Sequence, residues 1–207
     1  MNLETRFARF LSVVLHPLLI PTLGVIILFQ LNTYLSYSLG PQAKRVILLI
    51  VFINSAIAPT LSILLLKRTG MIRDVLLDER SERMIPLMLS AVYFFITYYL
   101  LRRIALPSLL YFYLIGATIL ILLTLIITYR WKISIHMVSM GGLTGFLISL
   151  ALLLQLNLDG LIIAAFFASG LLGTARVKLN AHNLSQVFAG YIMGIGVMLL
   201  LFLYLRS

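Results

Sequence analysis

Long uninterrupted runs of apolar residues dominate the chain, and polar residues are confined to short gaps between them. Seven runs stand out, at 10–31, 46–66, 86–101, 107–128, 137–156, 161–172 and 184–205. Continuous apolar runs, unlike strict alternation, predict helices. About 20 such residues carry a helix across the hydrocarbon core of a bilayer. Inside lipid a segment must satisfy its own backbone hydrogen bonds, which leaves helices or closed barrels. The third and sixth runs are short. The sixth extends through Gly173 and Thr174, so the pattern predicts six or seven spans. The expected fold is an all-α, polytopic transmembrane helical bundle. Residues 1–207 read as a single integral membrane domain, with no internal repeat, low-complexity segment or linker.

The first run follows Arg6 and Arg9, as the apolar part of a signal peptide would. It is too long for one, is interrupted by His16, Pro17 and Pro21, and offers no small-residue cleavage site. It reads as a retained first helix. Turns are expected at Gly40-Pro41, at 105–107 and at 157–160. Tyr93, Tyr98, Tyr99, Tyr111 and Tyr113 flank the Arg102-Arg103 turn, as an interfacial aromatic belt does. Asn54, Ser55 and Pro59 in the second run read as the relief of a kink. Gly190 and Gly194 form a small-xxx-small pair, and Gly141, Gly142 and Gly145 cluster at the start of another helix. Both sets suit close helix packing in lipid.

Composition agrees with the pattern. The chain is 62% apolar, against about 45–50% for a soluble domain. It has no cysteine, so disulfides and thiol chemistry are excluded. The net charge of +10 suits a membrane surface bearing anionic lipid. Nucleic acid is excluded as a partner because there is no soluble basic module. Alternation of the spans places the N-terminus, 67–85, 129–136 and 175–182 on one face. Eleven of the 16 basic residues fall there: Arg6, Arg9, Lys67, Arg68, Arg73, Arg80, Arg83, Arg130, Lys132, Arg176 and Lys178. Lys44, Arg45, Arg102, Arg103 and Arg206 fall on the other. The positive-inside rule makes the first face cytoplasmic.

That face also collects the polar groups that could carry chemistry. Three segments stand out: Arg73 to Pro86, Lys132-Ile-Ser134-Ile-His136, and Ala175-Arg176 through His182 to Gln186. Two of the three histidines and several arginines thus share one side. The set suits a phosphate ester, because arginine forks clamp phosphate oxygens. One histidine can attack phosphorus while another protonates the leaving alcohol. His136, beside Trp131 and Lys132, also reads as an interfacial anchor. The charged stretch 67–83 also reads as a solvated, mutually neutralising loop. His16 fits no motif and reads as packing.

These segments resemble, in order, the three signatures of the type-2 phosphatidic acid phosphatase superfamily. Arg176, His182 and Gln186 stand at the spacing of Ser-Arg-x5-His-x3-Asp. Ser134-x-His136 is similar to Pro-Ser-Gly-His. Arg73-x6-Arg80, with Arg83 and Pro86 behind it, looks like Lys-x6-Arg-Pro. The resemblance implies a phosphatase bundle that hydrolyses a lipid phosphate through a phosphohistidine, with no metal and no other cofactor. His182 would be the nucleophile, His136 the general acid, and Gln186 the partner of His182. Arg176 and Arg80 would hold phosphoryl oxygens, and Ser134 would donate to one. Arg73 would replace the family lysine, and Arg83 could replace either member of the first motif. Gln186 stands where the family has aspartate, and Ala175, Ile133 and Ile135 replace serine, proline and glycine.

The substrate classes implied are phosphatidic acid, phosphatidylglycerophosphate and polyprenyl diphosphate. The localisation implied is a bacterial cytoplasmic membrane. Two other readings are open. One is a catalytically degenerate protein on the same fold, binding a lipid phosphate or a partner. The other is a magnesium-dependent intramembrane prenyltransferase using Asp74-x3-Asp78, which requires a second acidic cluster that the chain lacks.

Overall fold

The computed structural model describes residues 2–75, 77, 79–102 and 107–204. Asp78 of the aspartate-rich reading lies outside the described residues, as do Arg103, Arg206 and positions 105–106 of an expected turn. Among the described residues the regular structure is entirely helical. Six helices are long and apolar enough to cross a membrane: Pro41–Arg68, Ser81–Leu101, Ser108–Thr128, Ile135–Leu154, Asp159–Lys178 and Leu184–Tyr204. The sixth apolar run is therefore full length, because its helix continues to Lys178.

The first run corrects the expectation of one spanning helix. It contains the end of α1 (Leu3–Val14) and the whole of α2 (Ile20–Gln30). The break has a local cause. Pro17 has no N–H for an intrahelical bond, and its ring pushes His16 out of helical geometry. Pro21 then sits in the first turn of α2, where its missing N–H costs nothing.

The chain packs as two compact units. One comprises Leu18–Leu125. It holds α2, the short α3 (Tyr34–Ser38), α4 (Pro41–Phe52), α5 (Ala58–Arg68), α6 (Met84–Leu101) and most of α7 (Ser108–Thr128). A π-helical turn at Ile53–Ile57 joins α4 to α5 within one span. Pro59 cannot bond the carbonyl four residues back, and the wider turn absorbs the mismatch. Asn54 Nδ2 donates to the Ile50 carbonyl at 2.9 Å, and the Ser55 and Thr22 hydroxyls pair at 3.1 Å. The expected kink is thus a π turn whose polar groups are paired.

The other unit comprises Met1–Pro17 and Ile126–Ser207. It contains α1, α8 (Ile135–Leu154), α9 (Asp159–Lys178) and α10 (Leu184–Tyr204). Glycines set the approach of α8 to α10. A Cβ on Gly190 would lie 2.9 Å from the Ser134 carbonyl, and one on Gly145 would lie 2.7 Å from the Ile195 carbonyl. Gly141 and Gly194 are pressed against the facing backbone in the same way. These pairs advance together along both helices, so α8 and α10 run parallel. Phe146 and Phe202 seal the far half edge to face, with ring centroids 5.6 Å apart.

Candidate functional site

Because α8 and α10 are parallel, their N-termini lie at one end of this unit, and α9 returns to that same end. The Ser134 N–H donates to the Gln186 carbonyl at 3.3 Å, joining the start of α8 to the start of α10. Two positive helix ends meeting there favour an anion. Arg176 and Lys178 occupy the last turn of α9, where the helix dipole favours cations. Asn180, at φ 52°, turns the chain out of α9. The Ala181 and His182 N–H groups fold back onto the Arg176 carbonyl at 3.1 and 3.4 Å. His182 is held by this turn and is buried, 7% exposed.

The state of the His182 ring follows from its neighbours. Asn183 Oδ1 accepts from the Gln186 N–H at 3.0 Å, and the Asn183 N–H donates to Gln186 Oε1 at 3.4 Å. This reciprocal pair is a capping box at the start of α10. A backbone N–H can only donate, so the amide atom facing it is the oxygen. That oxygen also lies 2.9 Å from His182 Nδ1. Nδ1 therefore carries the proton, and in the neutral ring Nε2 carries the lone pair.

Arg176 and His136 are both tied to Ser12, on the buried face of α1. Arg176 Nη1 donates to Ser12 Oγ at 3.4 Å, and Ser12 Oγ donates to the Ala8 carbonyl at 2.9 Å. His136 Nε2 lies 3.1 Å from the Ser12 carbonyl, which can only accept, so Nε2 is the protonated nitrogen. His16 stands edge-on to His136, with centroids 5.3 Å apart. The sequence offered no motif for Ser12 or His16. Proximity to His136 is what draws them to the site. Ser134 is the N-cap of α8, yet its side chain caps nothing. Its Oγ is fully buried without a hydrogen-bond partner among the described residues. An unmet buried hydroxyl costs about 1–3 kcal/mol, and a ligand oxygen would relieve that cost.

The arginines of the first motif belong to the other unit, where the loop is tied together by its own acids. Arg73 pairs with Glu79 at 2.9 Å and is largely exposed. The Arg73 backbone N–H donates to Glu82 Oε1 at 2.7 Å. Lys67 pairs with Asp74 at 2.8 Å, and that bond holds the Asp74 carboxyl below its ordinary range. Arg80 is exposed. Arg83 is 3% exposed and donates from Nε to the Leu77 carbonyl at 2.7 Å. These pairings match the mutually neutralising loop for Arg73 and give Arg83 a structural role in closing the loop.

Comparison with models of known families, with curated proteins and with solved structures found no match. The fold defines the chain as a helical integral membrane protein. Within one of its units, His182, Gln186, Arg176, His136 and Ser134 gather where α8 and α10 begin.

Proposed function

We propose that this protein is a membrane-embedded phosphatase acting on a lipid phosphate, with His182 as nucleophile. The observation that carries the reading is the hydrogen bond from His182 Nδ1 to Gln186 Oε1, which puts the lone pair on Nε2. In the proposed reaction Nε2 attacks the terminal phosphorus, and its bond to the leaving oxygen breaks, the oxygen belonging to the lipid alcohol in a monoester or to the lipid monophosphate in a diphosphate. The departing oxygen takes a proton. Water then attacks the phosphohistidine, releasing inorganic phosphate and restoring the ring. Positive charge from Arg176 and the helix ends would stabilise the phosphoryl oxygens, and the Ser134 hydroxyl would donate to one of them. With His136 Nε2–H directed at Ser12, proton donation by His136 would come from Nδ1 of its imidazolium. No metal enters this scheme. The motif resemblance would give phosphate-binding roles to Arg73, Arg80 and Arg83 as well; the proposed reaction draws its phosphate contacts only from Arg176, the helix ends and Ser134. The bacterial cytoplasmic membrane is the proposed location.

The test is phosphate release in lipid vesicles from phosphatidic acid, phosphatidylglycerophosphate and polyprenyl diphosphate. At least one should be hydrolysed, in the presence of EDTA, with an acid-labile phosphoprotein forming in the first turnover. His182→Ala should reduce the rate by roughly three orders of magnitude or more. A rate unchanged in His182→Ala would overturn the assignment. A second reading, binding of a lipid phosphate without turnover, is favoured by Gln186, whose neutral amide already serves the capping box. Tight binding with no phosphate release from any of the three lipids would select it.

A further inference from the structure

We infer that α1 is an interfacial helix whose outward face seats on a surface of anionic lipid. Its length is the first reason. Twelve residues make a rod of about 18 Å, short of the roughly 30 Å hydrocarbon core. Its attachment is the second. Glu4, near its start, pairs with Lys178, the last residue of α9. Ser12, near its end, holds Arg176 in the last turn of α9 and His136 in the first turn of α8. Both ends of α1 are therefore fastened to the same end of its unit, and α1 stays at the level where the spans begin.

The division of its faces is the third reason. Only Ala8 and Ser12 are buried. On the opposite side Leu3, Phe7 and Phe10 are 82%, 53% and 60% exposed, and Val14 continues the stripe at 49%. At 100° per residue these four positions fall within a narrow strip. Arg6 and Arg9, both exposed, line one flank of it. Leu3, Glu4, Arg6, Phe7 and Phe10 border a shallow depression on this side. An apolar strip with arginines along its edge suits the boundary between headgroups and acyl chains, with the cations toward anionic headgroups. A wholly lipid-buried helix would leave Arg6 and Arg9 in hydrocarbon, which is expensive.

The inference does not rest on phosphatase activity, and its test reads depth directly. The chain has no cysteine, so Phe7→Cys carries a single fluorophore. Phe167→Cys, at an exposed position midway along α9, serves as the reference. The full-length protein is reconstituted in phosphatidylcholine, or in equal parts phosphatidylcholine and phosphatidylglycerol. Quenching by lipids brominated near the headgroup or near the chain end is then compared. The Phe7 label should be quenched by shallow bromines, and more strongly when phosphatidylglycerol is present. Arg6→Gln with Arg9→Gln should abolish that lipid difference. The Phe167 label should be quenched best by deep bromines in both vesicles, showing that the bundle is inserted. With that reference in place, a Phe7 label quenched best by deep bromines, unquenched by any, or equally quenched in both lipids overturns the inference.

Discussion

At the scale of single residues, Gln186 has two tasks, and they predict opposite results for two substitutions. Its oxygen completes the capping box and fixes the His182 tautomer. Aspartate retains an acceptor and adds the anion that stabilises imidazolium. Charge-assisted hydrogen bonds are roughly twice as strong as neutral ones. Gln186→Asp should therefore raise phosphate release by about tenfold or more, since tenfold is about 1.4 kcal/mol. The added anion also favours the charged ring. Nε2 must be unprotonated to attack, so the acidic limb of the pH–rate profile should move to higher pH. Gln186→Leu should lose activity and about 1 kcal/mol of stability through the cap. An active enzyme indifferent to both changes would make Gln186 mere packing. Ser134 is read differently. Its hydroxyl is buried without a partner among the described residues, so Ser134→Ala should leave unliganded thermal stability unchanged or slightly raised. The same variant should lose part of the stabilisation that orthovanadate or phosphate confers on the parent.

At the scale of elements, the α8–α10 contact depends on absent side chains. A methyl group on Gly145 or Gly194 meets backbone atoms, which cannot rotate aside. The helices must separate, and overpacking of this kind costs about 1–3 kcal/mol. At Gly170 and Gly196 an added methyl group would meet nothing within 4 Å, so alanine there is harmless by the same measure. Thermal unfolding in detergent should rank Gly194→Ala and Gly145→Ala well below the parent. Gly170→Ala and Gly196→Ala should be equal to it or slightly higher, alanine being the better helix former. Because the Ser134–Gln186 bond lies at the same contact, the two damaging variants should also lose phosphate-dependent stabilisation.

At the scale of the whole molecule, the question is which way the site faces. The break in the first apolar run removes the simple argument that one helix crosses from the N-terminus. The bonds from Ser12 and Glu4 to α8 and α9 replace it, and they keep Arg6 and Arg9 with the ends of those spans. For the other connections the alternation of the spans read from the sequence is the guide, and by it the expected side for Ser81 is the cytoplasm. Single cysteines at Ser81 and Ser38 can be labelled in intact cells with an impermeant maleimide. Ser38 should react and Ser81 should not. Labelling at Ser81 alone would reverse the orientation and favour a lipid phosphate of the outer leaflet.

The membrane class and the six runs that become spans among the described residues were legible in the sequence, though the pattern left six or seven open, because transfer into lipid is a local property summed residue by residue along each run. The turn at Gly40-Pro41 and the kink at Pro59 were legible too, since proline acts on its own neighbours. The same rule at Pro17 argues against a single first helix, while the length of the apolar run argues for one, and proline wins. The spacing of Arg176, His182 and Gln186 pointed to a local unit, and their bonds close within one turn and the helix start that follows. Ser12 could not have been found this way. It lies 124 residues from His136 and 164 from Arg176, and it meets one of them through a backbone carbonyl, which every residue has. Only the packing of α1 against the end of α9 gives that carbonyl a partner. The parallel approach of α8 and α10 likewise follows from facing glycines, whose pairing exists only once both helices are folded together.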